Sequence, residues 1–260
     1  MTIRTVHATR YVTPLKEGGS LPAIIEADDE GLYVLKFRGA GQGPKALVAE
    51  LVVGEMARAC GLAVPEIVFV HLDAELARTE PDPEIHDLIT ASAGLNLALD
   101  YLPGSVMFNP VLQNVDESLA SAVVWMDAYT TNIDRTARNT NLLLWHKTLY
   151  LIDHGAALYF HHSWRNYLER CADPFSLIRD HVLLPWAGRL KETDARMKGV
   201  IVRELIDSTV AQIPAEWLIP DGRFAGADDI RRAYQTYLTN RLDQSQSFVE
   251  EAIRARSLLV

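Results

Sequence analysis

The chain has 260 residues, of which 48% are apolar, with 25 Lys and Arg against 34 Asp and Glu and a formal charge of −9. This composition excludes disorder and supplies enough chain for a core without disulfides, in one domain or two. The acidic balance, with no basic run longer than Arg231-Arg232, argues against a nucleic-acid partner.

No apolar stretch approaches the ~18 residues of a membrane span, and the N-terminus lacks the apolar segment of a secretory leader. Cys60 and Cys171 are too few for a disulfide framework or a four-thiolate zinc site. A cytoplasmic protein is the expectation.

Residues up to about 100 read mainly as strands with one main helix, and those after about 155 mainly as helices. Residues 21–26 and 32–37 are apolar runs around Ala27-Asp-Asp-Glu-Gly31, which predicts a β-hairpin. In 32–37 odd and even positions are both apolar, so Lys36 must snorkel or meet an anion. A glycine-rich loop, Gly39-Ala-Gly-Gln-Gly, ends at Pro44, which suits the first turn of a helix over 45–60. Gly61 is its stop. Leu47, Val48, Leu51, Val52 and Met56 cover most of that helix's circumference, so it should be buried. Residues 65–71 read as a strand, and 78–86, with Pro81 and Pro83, as a loop. The run 94–101 reads as a strand before Pro103-Gly104, where a hinge is placed. A helix is expected over 118–131, a second hairpin over 141–152, and helices over 175–182, 193–213 and 228–254, with Asp228 as N-cap of the last.

The chemistry gathers in 132–155. If Leu144 closes against Leu149, residue 140 stands opposite Asp153, so Asn139 and Asp153 share the hairpin's open end, ~5 Å apart for directly opposed Cα atoms. Asp134 lies in the preceding loop. Three oxygen donors thus meet at one mouth. Two, Asn139 and Asp153, suit a hard cation such as magnesium. The third can steer or deprotonate a nucleophile. An Asp-x4-Asn, hairpin, Asp-x-Gly order is a phosphoryl-transfer arrangement, which works by positioning and charge neutralisation. No Walker A or Gly-x-Ser-x-Gly elbow occurs. His154, His161 and His162 also cluster here, without the spacing of a helical metal motif.

The string Asp134-Arg-x3-Asn139, two apolar strands, then Leu151-Ile-Asp153-His-Gly155 resembles the catalytic and magnesium motifs of protein-kinase-like folds. It is most similar to the HipA toxin kinases and phosphatidylinositol kinases, and within them to the small bacterial HipA-like kinase domain proteins. The resemblance implies an α+β, two-lobed fold: a β-rich N-lobe over 1–100 and a mostly helical C-lobe over 101–260. It implies an ATP- and magnesium-dependent kinase acting on a hydroxyl, such as a serine or threonine of a protein, with the acceptor unidentified. Asp134 would be the catalytic aspartate, Asn139 and Asp153 the magnesium ligands, and Lys36 the phosphate-binding lysine. A helix glutamate would pair with Lys36; Glu50 and Glu55 both qualify, and Glu50 is preferred because the first half of the helix lies nearer the strand's end. Gly18, Gly19 and Ser20 would stand in the phosphate-covering loop, and Asp100, Tyr101 and Leu102 where adenine meets backbone. Four features depart from the relatives: Ile133 before the catalytic position, His154 in place of Phe, a reduced Gly-rich loop, and no Ala-Pro-Glu anchor. They leave two other readings: a nucleotide-binding scaffold without catalysis, or a metal-dependent hydrolase using the histidines.

Overall fold

The computed structural model describes residues 2–15, 21–41 and 43–259. Gly18, Gly19 and Ser20 lie outside the described residues. The chain opens with β1 (Thr5–Pro14), β2 (Ala23–Ala27) and β3 (Leu32–Lys36), then α1 (Pro44–Ala59) and β4 (Ile67–Leu72). After a 3₁₀ turn come α2 (Pro83–Ala91) and β5 (Gly94–Asp100). The five strands close into a barrel in the order β1-β2-β3-β5-β4. The closing pair is parallel, Thr5 to His7 against Phe69 to His71.

The expected first hairpin is β2–β3, with Ala23 opposite Leu35 and Glu26 opposite Leu32. The segment expected as a loop over 78–86 instead begins α2, so a second helix joins the barrel. Pro83 stands in its first turn and the Asp82 carboxylate accepts from Glu84 N–H, which is an ordinary helix start. Ile85 and Ile89, one turn apart, bury its inner face.

α1 is buried on nearly every side, as its apolar circumference predicts. Gly61 ends it at φ +80, a backbone that glycine adopts without strain. The helix packs against β4 and β5 on one side and against the helices behind on the other. Leu51, Val52, Val53 and Met56 have no exposed surface. Burying side chains of this kind contributes about 1.5–3 kcal/mol each, so α1 is fixed to both halves of the molecule.

The remaining chain forms β6 (Val106–Met107), α3 (Glu117–Thr130), β7 (Leu142–Trp145), β8 (Thr148–Leu151), α4 (Leu190–Val200), α5 (Arg203–Ala211), α6 (Ala227–Asp243) and α7 (Ser245–Arg256). The β7–β8 register is the expected one: Leu144 faces Leu149 and Leu142 faces Leu151. Its loop is shorter than expected, because Trp145 and Thr148 also pair and only His146-Lys147 turns, at φ +47 and +66. The helix expected over 193–213 is two, α4 and α5, and that over 228–254 is α6 and α7, broken at Gln244. Gly226, not Asp228, is the N-cap of α6; Asp228 sits in the first turn and accepts from Arg231 at 2.7 Å. Residues 175–182 contain only a 3₁₀ turn, Ser176–Asp180.

One apolar core fills the barrel and reaches α2. A larger one runs from α1 into α3, α6 and α7 through Trp125, Tyr129, Phe160, Tyr237 and Phe248. Within it, buried Arg241 donates to the carbonyls of Ala128 and Tyr129 near the end of α3 at 2.7 Å each, and to Cys171 and Asp173 at 3.1 and 3.0 Å. A cation on the last carbonyls of a helix is favourable. It fixes the end of α3, from which the loop carrying Asp134 departs. No helix among the described residues is long and apolar enough to cross a membrane.

Candidate active site

The site is built where β3, α1, the loop after α3 and the end of β8 converge. Lys36 ends β3 with its side chain 12% exposed, so it does not snorkel into water. It finds two anions: its Nζ donates to Asp153 Oδ1 at 2.7 Å and lies 3.8 Å from Glu50 Oε2. Burial alone would depress the lysine, but Glu50 and Asp153 outweigh it and hold the ammonium above the ordinary lysine range. Burial likewise pushes Glu50 up, and the Lys36 charge with the His154 hydrogen bonds overcomes it, leaving Glu50 ionised well below the ordinary carboxylate range. Glu55 turns to Arg58 instead, at 3.6 Å. The structure therefore brings together Lys36 and Glu50, not Lys36 and Glu55.

Asp134 is held in a tight loop. Its backbone N–H donates to Asn132 Oδ1 at 3.1 Å, and its Oδ2 accepts from Asn139 Nδ2 at 2.8 Å and Asn141 Nδ2 at 3.2 Å. Beneath it lies a buried polar network that sequence reasoning missed. Asp127, in α3, accepts from Arg135 Nε at 2.6 Å, His181 Nε2 at 2.9 Å and Asn132 Nδ2 at 3.0 Å. Burial would raise this carboxyl, but Arg135 and His181 hold it far below the ordinary carboxylate range. Arg135 also donates to the carbonyls of Asn141 and, at 3.3 Å, Ile152. One guanidinium thus joins α3, the Asp134 loop and the two residues at the open end of the hairpin. The local signal was Arg135 itself, an arginine between Asp134 and an apolar strand, but its partners lie too far along the chain to be read.

Lys36, Glu50, Asp134, Asn139 and Asp153 line one cavity of about 780 Å³, together with Ala40, Gly41, Gly155 and His162. That volume lies in the range of ligand and cofactor clefts. Asp100, Tyr101 and Leu102 stand at the end of β5 and are not in its lining. The Asp100 and Tyr101 N–H groups donate to Glu66 and Leu32 carbonyls at 2.8 and 2.9 Å. Leu102 N–H has no protein partner among the described residues.

The donor set fits a small hard cation. Asp153 is 39% exposed at its side chain, Asn139 is exposed, and both face the cavity with oxygen ligands. Among the described residues no three His, Cys, Asp or Glu side chains converge as a metal cage. Magnesium needs none, since one or two carboxylates with phosphate oxygens and waters suffice. Two of the nearby histidines are engaged elsewhere, His154 with Glu50 and His161 Nδ1 2.8 Å from Tyr234 OH, while His162 lines the cavity.

A barrel, a buried helix carrying Glu50, and an Asp-x4-Asn loop followed by a hairpin and Asp-x-Gly agree with a family match over nearly the whole chain. The HipA-like kinase model covers residues 9–250. The chain belongs to this family. Among curated proteins no sequence matches it. Among solved structures it is similar to the Helicobacter pylori proinflammatory kinase CtkA, at 12% identity and a TM-score of 0.56, over 98% of this chain and 99% of that one. It is also similar to a Golgi casein kinase with manganese and ADP bound, at 12% identity and a TM-score of 0.51, over 99% of this chain and 75% of that one. The fold of this HipA-like kinase is accordingly the α+β, protein-kinase-like one.

Proposed function

We propose that the HipA-like kinase binds ATP with magnesium in this cavity and transfers the terminal phosphate to a hydroxyl, on a protein serine or threonine. The observation that carries the reading is the convergence of Lys36, Glu50, Asp134, Asn139 and Asp153 from separate segments onto one cavity. Phosphoryl transfer asks the protein for charge neutralisation and alignment more than for covalent chemistry. Lys36 supplies a buried cation for phosphate oxygens. Asn139 and Asp153 would hold the metal, which would supply positive charge to the phosphates. Asp134, anchored by Asn139 and Asn141, steers the acceptor hydroxyl and takes its proton. Glu50 keeps Lys36 charged and in place.

The Golgi casein kinase that shares the fold was crystallised with manganese and ADP, which supports a nucleotide and a divalent cation here. Residues 1–100 and 101–260 are the two lobes in this reading, with Leu102 N–H left for adenine. The cytoplasmic setting belongs to the same proposal, supported by Cys60 and Cys171, both free and buried.

Calorimetric titration of ATP with and without magnesium tests the site. The wild-type chain is expected to bind ATP with magnesium, Lys36→Met to bind at least tenfold more weakly, and Asp153→Asn to lose the magnesium dependence. A folded wild-type chain that binds no ATP in either condition overturns the reading.

A further inference from the structure

His154 makes a contact that gives it a part in the site. The side chain is fully buried. Its backbone N–H donates to Glu50 Oε2 at 3.0 Å, and its ring Nδ1 lies 3.2 Å from Glu50 Oε1. An ionised carboxylate only accepts hydrogen bonds, so Nδ1 carries the proton and donates it. Both oxygens of Glu50 are therefore held by one residue. Lys36 is the more distant partner of Glu50, at 3.8 Å, and is closer to Asp153, at 2.7 Å.

We propose that His154 is a positioning residue: by holding both oxygens of Glu50 it ties α1 to the segment that carries Asp153, and leaves Lys36 free to exchange Asp153 for phosphate. The inference rests on the phosphotransfer reading of the cavity.

Three observations support it. A buried carboxylate needs close donors, and a lysine at 3.8 Å alone would leave it under-bonded. Asp153 itself stands at φ +56, a left-handed backbone that a non-glycine residue keeps only when its surroundings hold it. The neighbouring 154 N–H bond to Glu50 is such a hold. α1 also lies directly over this turn, since a Cβ built at Gly155 would meet Ala46 Cβ at 3.6 Å. Movement of α1 away from the turn would break two charge-assisted bonds between buried groups, where such bonds are strong. Lys36 can then change partners while Glu50 stays fixed.

Three variants test this. His154→Phe keeps ring volume and removes the donor, His154→Leu does so with less bulk, and His154→Asn returns an N–H near the position of Nδ1. Thermal unfolding first establishes which are folded, and calorimetry with ATP and magnesium reads the site. Folded Phe or Leu variants are expected to bind about tenfold more weakly than wild type, with His154→Asn recovering to within about threefold. A donorless folded variant that binds like wild type overturns the proposal, as does a folded Asn variant no better than the donorless ones. If neither donorless variant folds, the Asn variant decides: binding within threefold of wild type supports the proposal, and loss beyond tenfold overturns it. A wild-type chain that binds no ATP would instead refute the phosphotransfer reading itself, so the two failures are distinguishable.

Discussion

Removing the Asp127 carboxylate should loosen the whole floor of the site. In Asp127→Ala, Arg135 keeps only carbonyl partners, and His181 and Asn132 lose the acceptor they share, held now at 2.6, 2.9 and 3.0 Å. Both ionic side chains are fully buried. Stranding one member of such a pair costs about 3–5 kcal/mol. At about 2–4 °C per kcal/mol for a chain of this size, the midpoint should fall by about 6–20 °C. Thermal and urea unfolding of wild type, Asp127→Ala, Arg135→Leu and the double variant measures it. The double variant strands no opposite charge, so its loss should be smaller than the sum of the singles by at least about 1 kcal/mol. Strict additivity, or a loss below about 1 kcal/mol in Asp127→Ala, would refute the claim that this network holds the Asp134 loop.

Stability should also fall in two steps as pH drops. Burial keeps His161 and His181 unprotonated in the fold, with His161 far below the ordinary value of 6.5. The unfolded chain takes those protons first, so each ring removes about 1.4 kcal/mol per pH unit below about 6.5, down to its folded value. Glu50 and Asp127, both depressed, contribute fully above the ordinary 4.5 and 3.8 and lose that contribution as pH falls below these values. A midpoint flat between about pH 7 and pH 5 would contradict the first step. In the β7–β8 turn, His146 and Lys147 both take positive φ, a conformation that suits Asn-Gly. His146→Asn with Lys147→Gly should raise stability by about 0.5–1 kcal/mol without changing ATP affinity, as read by unfolding and calorimetry. Arg241→Met should lower the midpoint by several degrees, because four backbone carbonyls lose their buried donor.

Much of the site was legible because its parts are local. Asp134, Asn139 and Asp153 fall within twenty residues, and the β7–β8 register follows from closing Leu144 against Leu149 across a short loop. Lys36 announced itself as a charge in a strand apolar on both faces. What stayed hidden depends on distant partners. β1 buries little beyond Val6, and it is a strand because β2 and β4 flank it. α2 carried its signal in Asp82 and Pro83, but two prolines among polar residues read as a loop. The α6–α7 break at Gln244 has no glycine or proline to mark it. Asp127 and His181 looked like ordinary helix and loop residues, 54 positions apart, until the fold placed Arg135 and Asp127 together. His154 read as a departure from relatives, and its bond to Glu50 spans 104 positions.

Phosphate transfer from γ-labelled ATP is the most direct test of the central claim. Wild type and Asp134→Ala are incubated with labelled ATP and magnesium in cell lysate, after unfolding curves show both are folded. Label appearing on an acceptor with wild type and absent with Asp134→Ala is the predicted result. Equal labelling by both would contradict the role given to Asp134, and no labelling by a wild type that binds ATP would contradict the claim that this HipA-like kinase transfers phosphate.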